Sequence, residues 1–212
     1  MDLFDAISDR PAVHKYGQDL PSDHELRQLV EAATWVTGAK NAQAWHFTVI
    51  TRRRLLDQIA RRARAWTYEH DPWTSQDREL KALADPHFDM LHHAPVLIVI
   101  SAPAVDNWTA EACAVAAQNL MLAATSLGLS SCWVGLAQNW LNSSEGRQAI
   151  GLPADERVVA PLVVGYASEG PGFMARRKPV ITWIGDELPE FENGEPIEPG
   201  IIEGLSGSSV SP

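Results

Sequence analysis

The longest apolar pattern in the chain spans residues 109–129, with no Gly or Pro before Gly128. Ala, Leu and Met dominate it, and these residues have high intrinsic helix propensity. Its polar positions recur in steps of seven: Glu111, Gln118 and Thr125 on one line, Asn119 and Ser126 on the next. The spacing predicts a helix with one polar stripe and an apolar remainder, buried on more than one side. Three settings fit such a helix: a plain core helix, a helix shared between two subunits, or a membrane span. The span is disfavoured, because five polar residues, one of them charged, are costly in lipid.

Other elements follow from the same kind of patterning. Residues 2–9 read as a short helix with Leu3, Phe4 and Ile7 on one face, broken by Pro11. Ser22-Asp23-His24-Glu25 is a capping box ahead of Leu26, Leu29, Val30 and Ala33, which predicts a helix ending near Trp35. Residues 37–44 form a loop by composition, and 45–50 alternate as a strand does. Residues 52–66 predict a helix with Leu55, Leu56, Ile59, Ala60 and Ala63 inward and six arginines around that stripe. Those arginines fit a solvated charged face or, as the sharper alternative, a nucleic-acid or NADP-phosphate patch. Residues 68–93 mix aromatic and polar positions and read as a cap or lid. A buried strand is predicted at 95–101, a short strand at 131–135, a short helix at 144–150 and a strand at 157–165. Pro161 inside the last one indicates an edge strand or a bulge.

Composition narrows the class. The 212 residues are 45% hydrophobic, enough for one core. Residues 1–184 read as one domain and 185–212 as an acidic arm rich in Pro, Gly and Ser. The net charge is −10, yet residues 184–212 hold seven acidic residues and no Lys or Arg, so removing those seven leaves the body at −3. General nucleic-acid binding is not expected from that balance, and an anionic cofactor would need its own cluster of cations. Residues 1–11 carry Asp2, Asp5, Asp9 and Arg10 where a secretory leader would be apolar. Cys113 and Cys132 are too few for a disulfide framework. A cytoplasmic protein is therefore the expectation.

Candidate chemistry is sparse. There is no Gly-x-Ser-x-Gly, and no Gly-x-Gly-x-x-Gly opens a helix. His92 and His93 are adjacent and so point in different directions. No third ligand stands at metal-like spacing, and no metal is expected. Arg10-Pro11-Ala12-Val13-His14-Lys15 packs basic residues into a turn, either a solvated one or a phosphate cradle.

Four pieces then occur in a telling order. Arg-x-x-x-His follows the first helix. Asn-x-Gln-x-Trp-x-Phe opens a strand. The Ala-rich helix with Gln-Asn-Leu runs into Gly-Leu-x-x-Cys-Trp-x-Gly. Arg-Arg-Lys-Pro lies near the C-terminus. Together these resemble the FMN-dependent nitroreductase family over about residues 2–184.

The resemblance implies an α+β fold: three layers, α/β/α, around a central, mostly antiparallel sheet, in an intertwined homodimer. The long helix would pack across the two-fold axis, and residues 181–184 would add a strand to the partner's sheet. FMN would lie at the interface. Its implied contacts are Arg10, Pro11, Ala12, Val13 and His14 at the phosphate and flavin, Arg176 and Arg177 completing the phosphate site, and Thr37, Gly38, Asn41 and Gln43 from the partner. Cys132, Trp133, Val134 and Gly135 would lie against the isoalloxazine. Ala12 stands where the family has Ser, and His14 where it has Arg or Lys. The implied activity is NAD(P)H oxidation, by NADH or NADPH, with ping-pong hydride transfer through flavin N5 to a nitroaromatic, quinone or similar small-molecule acceptor. No catalytic side chain is required, because the flavin carries the chemistry. Within the same fold the alternatives are a substrate dehydrogenase, a reductive dehalogenase or a non-catalytic flavin store. Neither nucleic acid nor membrane is an expected partner.

Overall fold

The computed structural model describes residues 1–8, 10, 12–36, 43–70, 81–103, 107–170, 177–182 and 184. Along the chain the order is α1 (Leu3–Ser8), α2 (Asp23–Thr34), β1 (His46–Ile50), α3 (Arg53–His70), β2 (Val96–Pro103), α4 (Asn107–Ser126), β3 (Ser130–Trp133), α5 (Gly135–Leu141), α6 (Ser144–Ile150) and β4 (Glu156–Gly165). The strands form one sheet in the order β1-β2-β4-β3, and every pairing is antiparallel.

β2 is apolar along most of its length because both of its faces are covered. Successive strand side chains point to opposite faces. Val96, Ile98 and Ile100 accordingly enter one hydrophobic cluster, with Leu29 of α2 and Ala116, Ala117 and Leu120 of α4. Leu97 and Val99 enter the other, with Leu56, Ile59 and Ala63 of α3 and Ala137 and Trp140 of α5. The result is three layers, α2 and α4 on one face of the sheet and α3, α5 and α6 on the other. This is the α+β architecture that the sequence implied.

Local signals hold where the chemistry is local. Ser22 Oγ accepts from the Glu25 N–H at 3.3 Å, while Glu25 Oε2 accepts from the Ser22 N–H at 2.7 Å. These reciprocal bonds satisfy two donors that the start of α2 leaves open. Gly128, at φ +74°, ends α4 in the left-handed region, and the Leu129 N–H donates back to Ala124 O at 2.8 Å.

Two expectations need correction. Pro161 does not mark an edge, because β4 lies between β2 and β3. In a strand a residue's N–H and C=O share a side, and Pro161 O accepts from the Val134 N–H just past the end of β3. The donor that proline lacks would therefore face a gap in the ladder, where little is lost. The other alternative, a bulge, is present in β4 two residues earlier: Ile100 pairs with Ala160 and Ser101 with Val158, leaving Val159 as an extra residue. Second, Gly135 is not in a strand. β3 stops at Trp133, and Gly135 begins α5, seven residues too short to show helical periodicity. Within one chain α4 packs against the sheet, α2 and α1. Cys113, Ala116, Ala117, Leu120 and Ala124 are inaccessible, whereas Val115 is 50% and Trp108 67% exposed. Residues 177–182 and 184 form no strand within the chain.

The segment before α2 is fastened to the end of β4. Tyr16 bridges to Ala167, the Gly17 N–H donates to Tyr166 O at 2.8 Å, and the Ser168 N–H donates to Lys15 O at 3.1 Å. A Cβ on Gly165 would stand 2.7 Å from Pro95 Cδ and 3.2 Å from the Tyr16 ring, so this close approach needs glycine. Gly165→Ala should lower unfolding free energy by about 1–3 kcal/mol through overpacking. Urea denaturation would measure it, and an unchanged midpoint would show that the neighbouring segments yield without cost.

Candidate functional site

Three segments distant in sequence meet around a cavity of about 470 Å³. His14 comes from the segment tied to β4. Phe88, Met90 and His92 come from the stretch leading into β2. Cys132, Trp133, Val134, Gly135 and Leu136 come from the β3–α5 junction. The volume lies in the range of small-molecule sites, ~300–1,000 Å³. Antiparallel pairing fixes the junction: Cys132 pairs with Val163 and Trp133 with Leu162, so alternate side chains enter opposite cores.

Five of the residues singled out from sequence thus converge on one wall: His14, Cys132, Trp133, Val134 and Gly135. Others stand apart from that lining. Val13 is buried in the core beside Tyr16, and Ala12 is exposed. Gln43 and Arg177 are exposed too. Arg10 packs against α4, with Nη1 3.4 Å from Met121 Sδ. Its Nε is sealed from solvent and has no hydrogen-bond partner among the described residues. Pro11, Thr37, Gly38, Asn41 and Arg176 lie outside the described residues.

Sequence reasoning missed Phe88, Met90 and His92 as cavity residues. It placed the first two only in a cap or lid, and it set His92 aside because adjacent histidines diverge. The fold supplies what spacing could not. The His14 and His92 rings stack with centroids 4.5 Å apart and planes 23° from parallel. Phe88 meets His92 edge-on at 6.4 Å. One nitrogen from each histidine and the sulfur of Cys132 all lie within 4.8 Å of one another. His14 and Cys132 reach His92 from remote parts of the chain, a convergence that sequence spacing does not display.

The backbone at His92 is unusual. His92 and His93 have φ of +55° and +57°, a region that non-glycine residues seldom occupy. Asp89 braces it, its Oδ1 accepting from the Leu91 N–H at 2.8 Å and the His93 N–H at 3.2 Å. Burial pushes the His92 pKa down to about 4, helped by nearby His14, so this imidazole is neutral at pH 7. On the same side of the sheet, burial holds the Tyr16 phenol well above its usual value, with Cys132 adding to the effect.

A serine, a carboxylate and a histidine also meet at the sheet, but in the wrong order for acyl transfer. Ser101 Oγ donates to Glu156 Oε2 at 2.6 Å, and His46 Nδ1 stands 3.1 Å from Glu156 Oε1. A nucleophilic serine needs the base on its own hydroxyl. Here the carboxylate sits between them, tying β1, β2 and β4 together.

The His92 shift has a stability consequence. The unfolded chain takes up a proton near pH 6.5 that the folded chain refuses until about pH 4. Stability from this residue is therefore full above pH 6.5 and is lost as pH falls through 4. His92→Gln should flatten that part of the stability profile, read by urea midpoints at several pH values. A His92 ring that titrates near 6.5 by NMR would contradict this.

Comparison with known proteins completes the picture. A Methanothermobacter thermautotrophicus protein provisionally named NADH dehydrogenase/NAD(P)H nitroreductase is 25% identical over 176 residues, covering 81% of each chain. A Bacteroides fragilis nitroreductase solved with bound FMN superimposes with a TM-score of 0.72 at 24% identity, covering 91% of this chain and all of that one. An iodotyrosine deiodinase bound to FMN and 3-iodo-L-tyrosine gives a TM-score of 0.69 at 21% identity, over 87% of this chain and all of that one. The model of the Nitroreductase family matches residues 7–166, and on that match this chain belongs to the Nitroreductase family.

Proposed function

We propose that the protein is an FMN-dependent NAD(P)H oxidoreductase acting on nitroaromatic, quinone or similar electrophilic acceptors. The observation that carries the reading is Arg10. Its guanidinium is partly buried, forms no ion pair among the described residues, and has an Nε closed off from water. Burying a cation without a counter-ion is costly. A phosphate dianion suits the planar donor fork of arginine and would remove that cost. The relatives add to this: the solved B. fragilis nitroreductase holds FMN, and the M. thermautotrophicus relative is named for NAD(P)H.

The chain's residues fit the group at two places. Arg10 would hold its phosphate end, with Arg176 and Arg177 as the remaining cations of that site. The cavity wall at Cys132–Gly135 would take the ring system, its apolar and aromatic surface excluding water. When bound, FMN supplies two-electron chemistry, accepting hydride from a nicotinamide and giving it to an acceptor. The protein positions the reactants and shapes the electrostatics, and no side-chain acid or base is assigned. Reductive dehalogenation is the second reading, favoured by the likeness to a deiodinase.

We further propose a homodimer. Leu3, at 63% exposure, and Phe4, Ile7, Trp108 and Val115 leave apolar surface on α1 and α4 uncovered in one chain. Closed two-fold pairing would cover such a face. Sedimentation should give a species of about twice the 23.3 kDa chain, and Val115→Glu should shift it toward a monomer. A wild-type protein that sediments as a monomer with full FMN content would refute the shared site.

Purified protein should be yellow, with FMN released by heat, and should bleach anaerobically on addition of NADH or NADPH. Arg10→Ala should raise the FMN dissociation constant about ten-fold or more, since a charge-assisted bond is worth ~1.5–3 kcal/mol. Arg54→Ala, on the exposed face of α3, should leave it nearly unchanged. Equal effects in a fluorescence titration would mean that diffuse charge, and not Arg10, holds the phosphate.

A further inference from the structure

The cations of this acidic chain are not spread evenly. Six of its 17 basic residues, all arginines, fall between positions 52 and 64, with Asp57 the one acid among them. We propose that the outer face of α3 is the docking surface for the chain's own acidic segment, residues 185–212, laid along the helix in extended form. The inference stands apart from the flavin reading, since no arginine of this face lines the cavity.

The structure sorts the six arginines. Arg53 holds Asp57 at 2.6 Å and donates to His93 O at 3.2 Å, while Arg64 donates to Leu83 O at 2.7 Å. Both are committed to the packing of α3 against the segment that leads into β2. Arg62 meets Glu145 at 3.3 Å, with both side chains half or more exposed. Arg52, Arg54 and Arg61 are exposed and form no ion pair among the described residues. Arg54 and Arg61 stand two helical turns apart, on one line opposite the buried Leu56, Ile59 and Ala63. About 10 Å separates them along the axis. Like charges so close on a helix repel, Arg61 and Arg64 among them. An anion laid over the face relieves that repulsion.

The occupant follows from charge, spacing and length. Residues 185–212 lie outside the described residues, but their sequence holds seven acids and no Lys or Arg. Glu187 and Glu190 are three residues apart, as are Glu192, Glu195 and Glu198 in turn. In an extended chain, at ~3.3 Å per residue, such neighbours stand about 10 Å apart. A polyproline-type helix, which Pro189, Pro196 and Pro199 favour, also returns to the same face every third residue. Either form matches the spacing of Arg54 and Arg61. The 28 residues after Ile184 span at most roughly 90 Å, about twice the width of a domain of this size. Reach therefore does not limit docking. Tethering also gives the segment an effective concentration in about the millimolar range, which a free polyanion has to exceed. Contacts of this kind are exposed and salt-sensitive, because the Debye length falls from ~10 Å at 0.1 M salt to ~3 Å at 1 M.

The experiment uses the full chain with Asn193→Cys carrying a nitroxide, read by NMR of the backbone amides. The native Cys113 and Cys132 are buried, which directs the label to the new site. At low salt the amides of residues 54–62 should broaden, and in about 1 M NaCl the broadening should vanish. Arg54→Gln with Arg61→Gln should abolish it at low salt, as should Glu→Gln at positions 187, 190, 192, 195 and 198. The same arginine pair should speed cleavage of the segment by a glutamate-specific protease several-fold, since cleavage tracks the undocked population. Both sets of changes lie on exposed or terminal positions, and circular dichroism reports the fold of each. Amides of α3 that stay sharp at low salt, or broadening that survives the arginine substitutions, would overturn the proposal. So would α3 signals that ignore the glutamate substitutions yet shift with added NADPH or heparin, which would assign the face to an external anion.

Discussion

The fold depends on burying β2 from both sides. Residues 96–102 are almost inaccessible, and they alternate between two separate hydrophobic clusters. Each fully buried aliphatic side chain contributes roughly 1.5–3 kcal/mol. That gain exists only if a helical layer covers each face. α4 brings alanines close to one face, where small side chains let the helix approach the sheet. α3 and α5 cover the other with Leu56, Ile59 and Trp140. The strand's backbone is satisfied by β1 on one side and β4 on the other.

The functional geometry follows from how the sheet ends. The extra residue at Val159 reverses the alternation of β4: Val158 enters the cluster facing α3, while Ala160 and Leu162 enter the one facing α4. Beyond it β3 terminates opposite Pro161, which has no N–H to offer. Val134 donates its last ladder bond there, and the chain turns into α5. Cys132 is thereby left on the face shared with Tyr16 and Val13. The segment carrying His14 is strapped to the exit of β4, and the loop carrying His92 feeds β2. Paired strands β2, β4 and β3 thus hold three sequence-distant segments in one place.

Arg10 and the stacked histidines differ in kind. Arg10 is a permanent charge whose donors exceed its partners among the described residues. The histidines form an aromatic stack with the Cys132 thiol nearby, and His92 resists protonation because its ring is removed from water.

The sequence by itself determined the elements whose cause is local. The capping box of α2, the apolar run of β2, the long Ala-rich α4 and the closing Gly128 all depend on neighbouring residues, and each stands where its pattern placed it. Residues Cys132 to Gly135 could also be singled out, because motif and spacing lie within one short stretch. Only the tertiary structure decided that β4 is internal despite Pro161, since strand order comes from long-range pairing. Only it revealed α5, which is one short helix held by the burial of Trp140. Only it joined His14, His92 and Cys132, because chemistry between remote residues leaves no periodic trace in the chain that carries it.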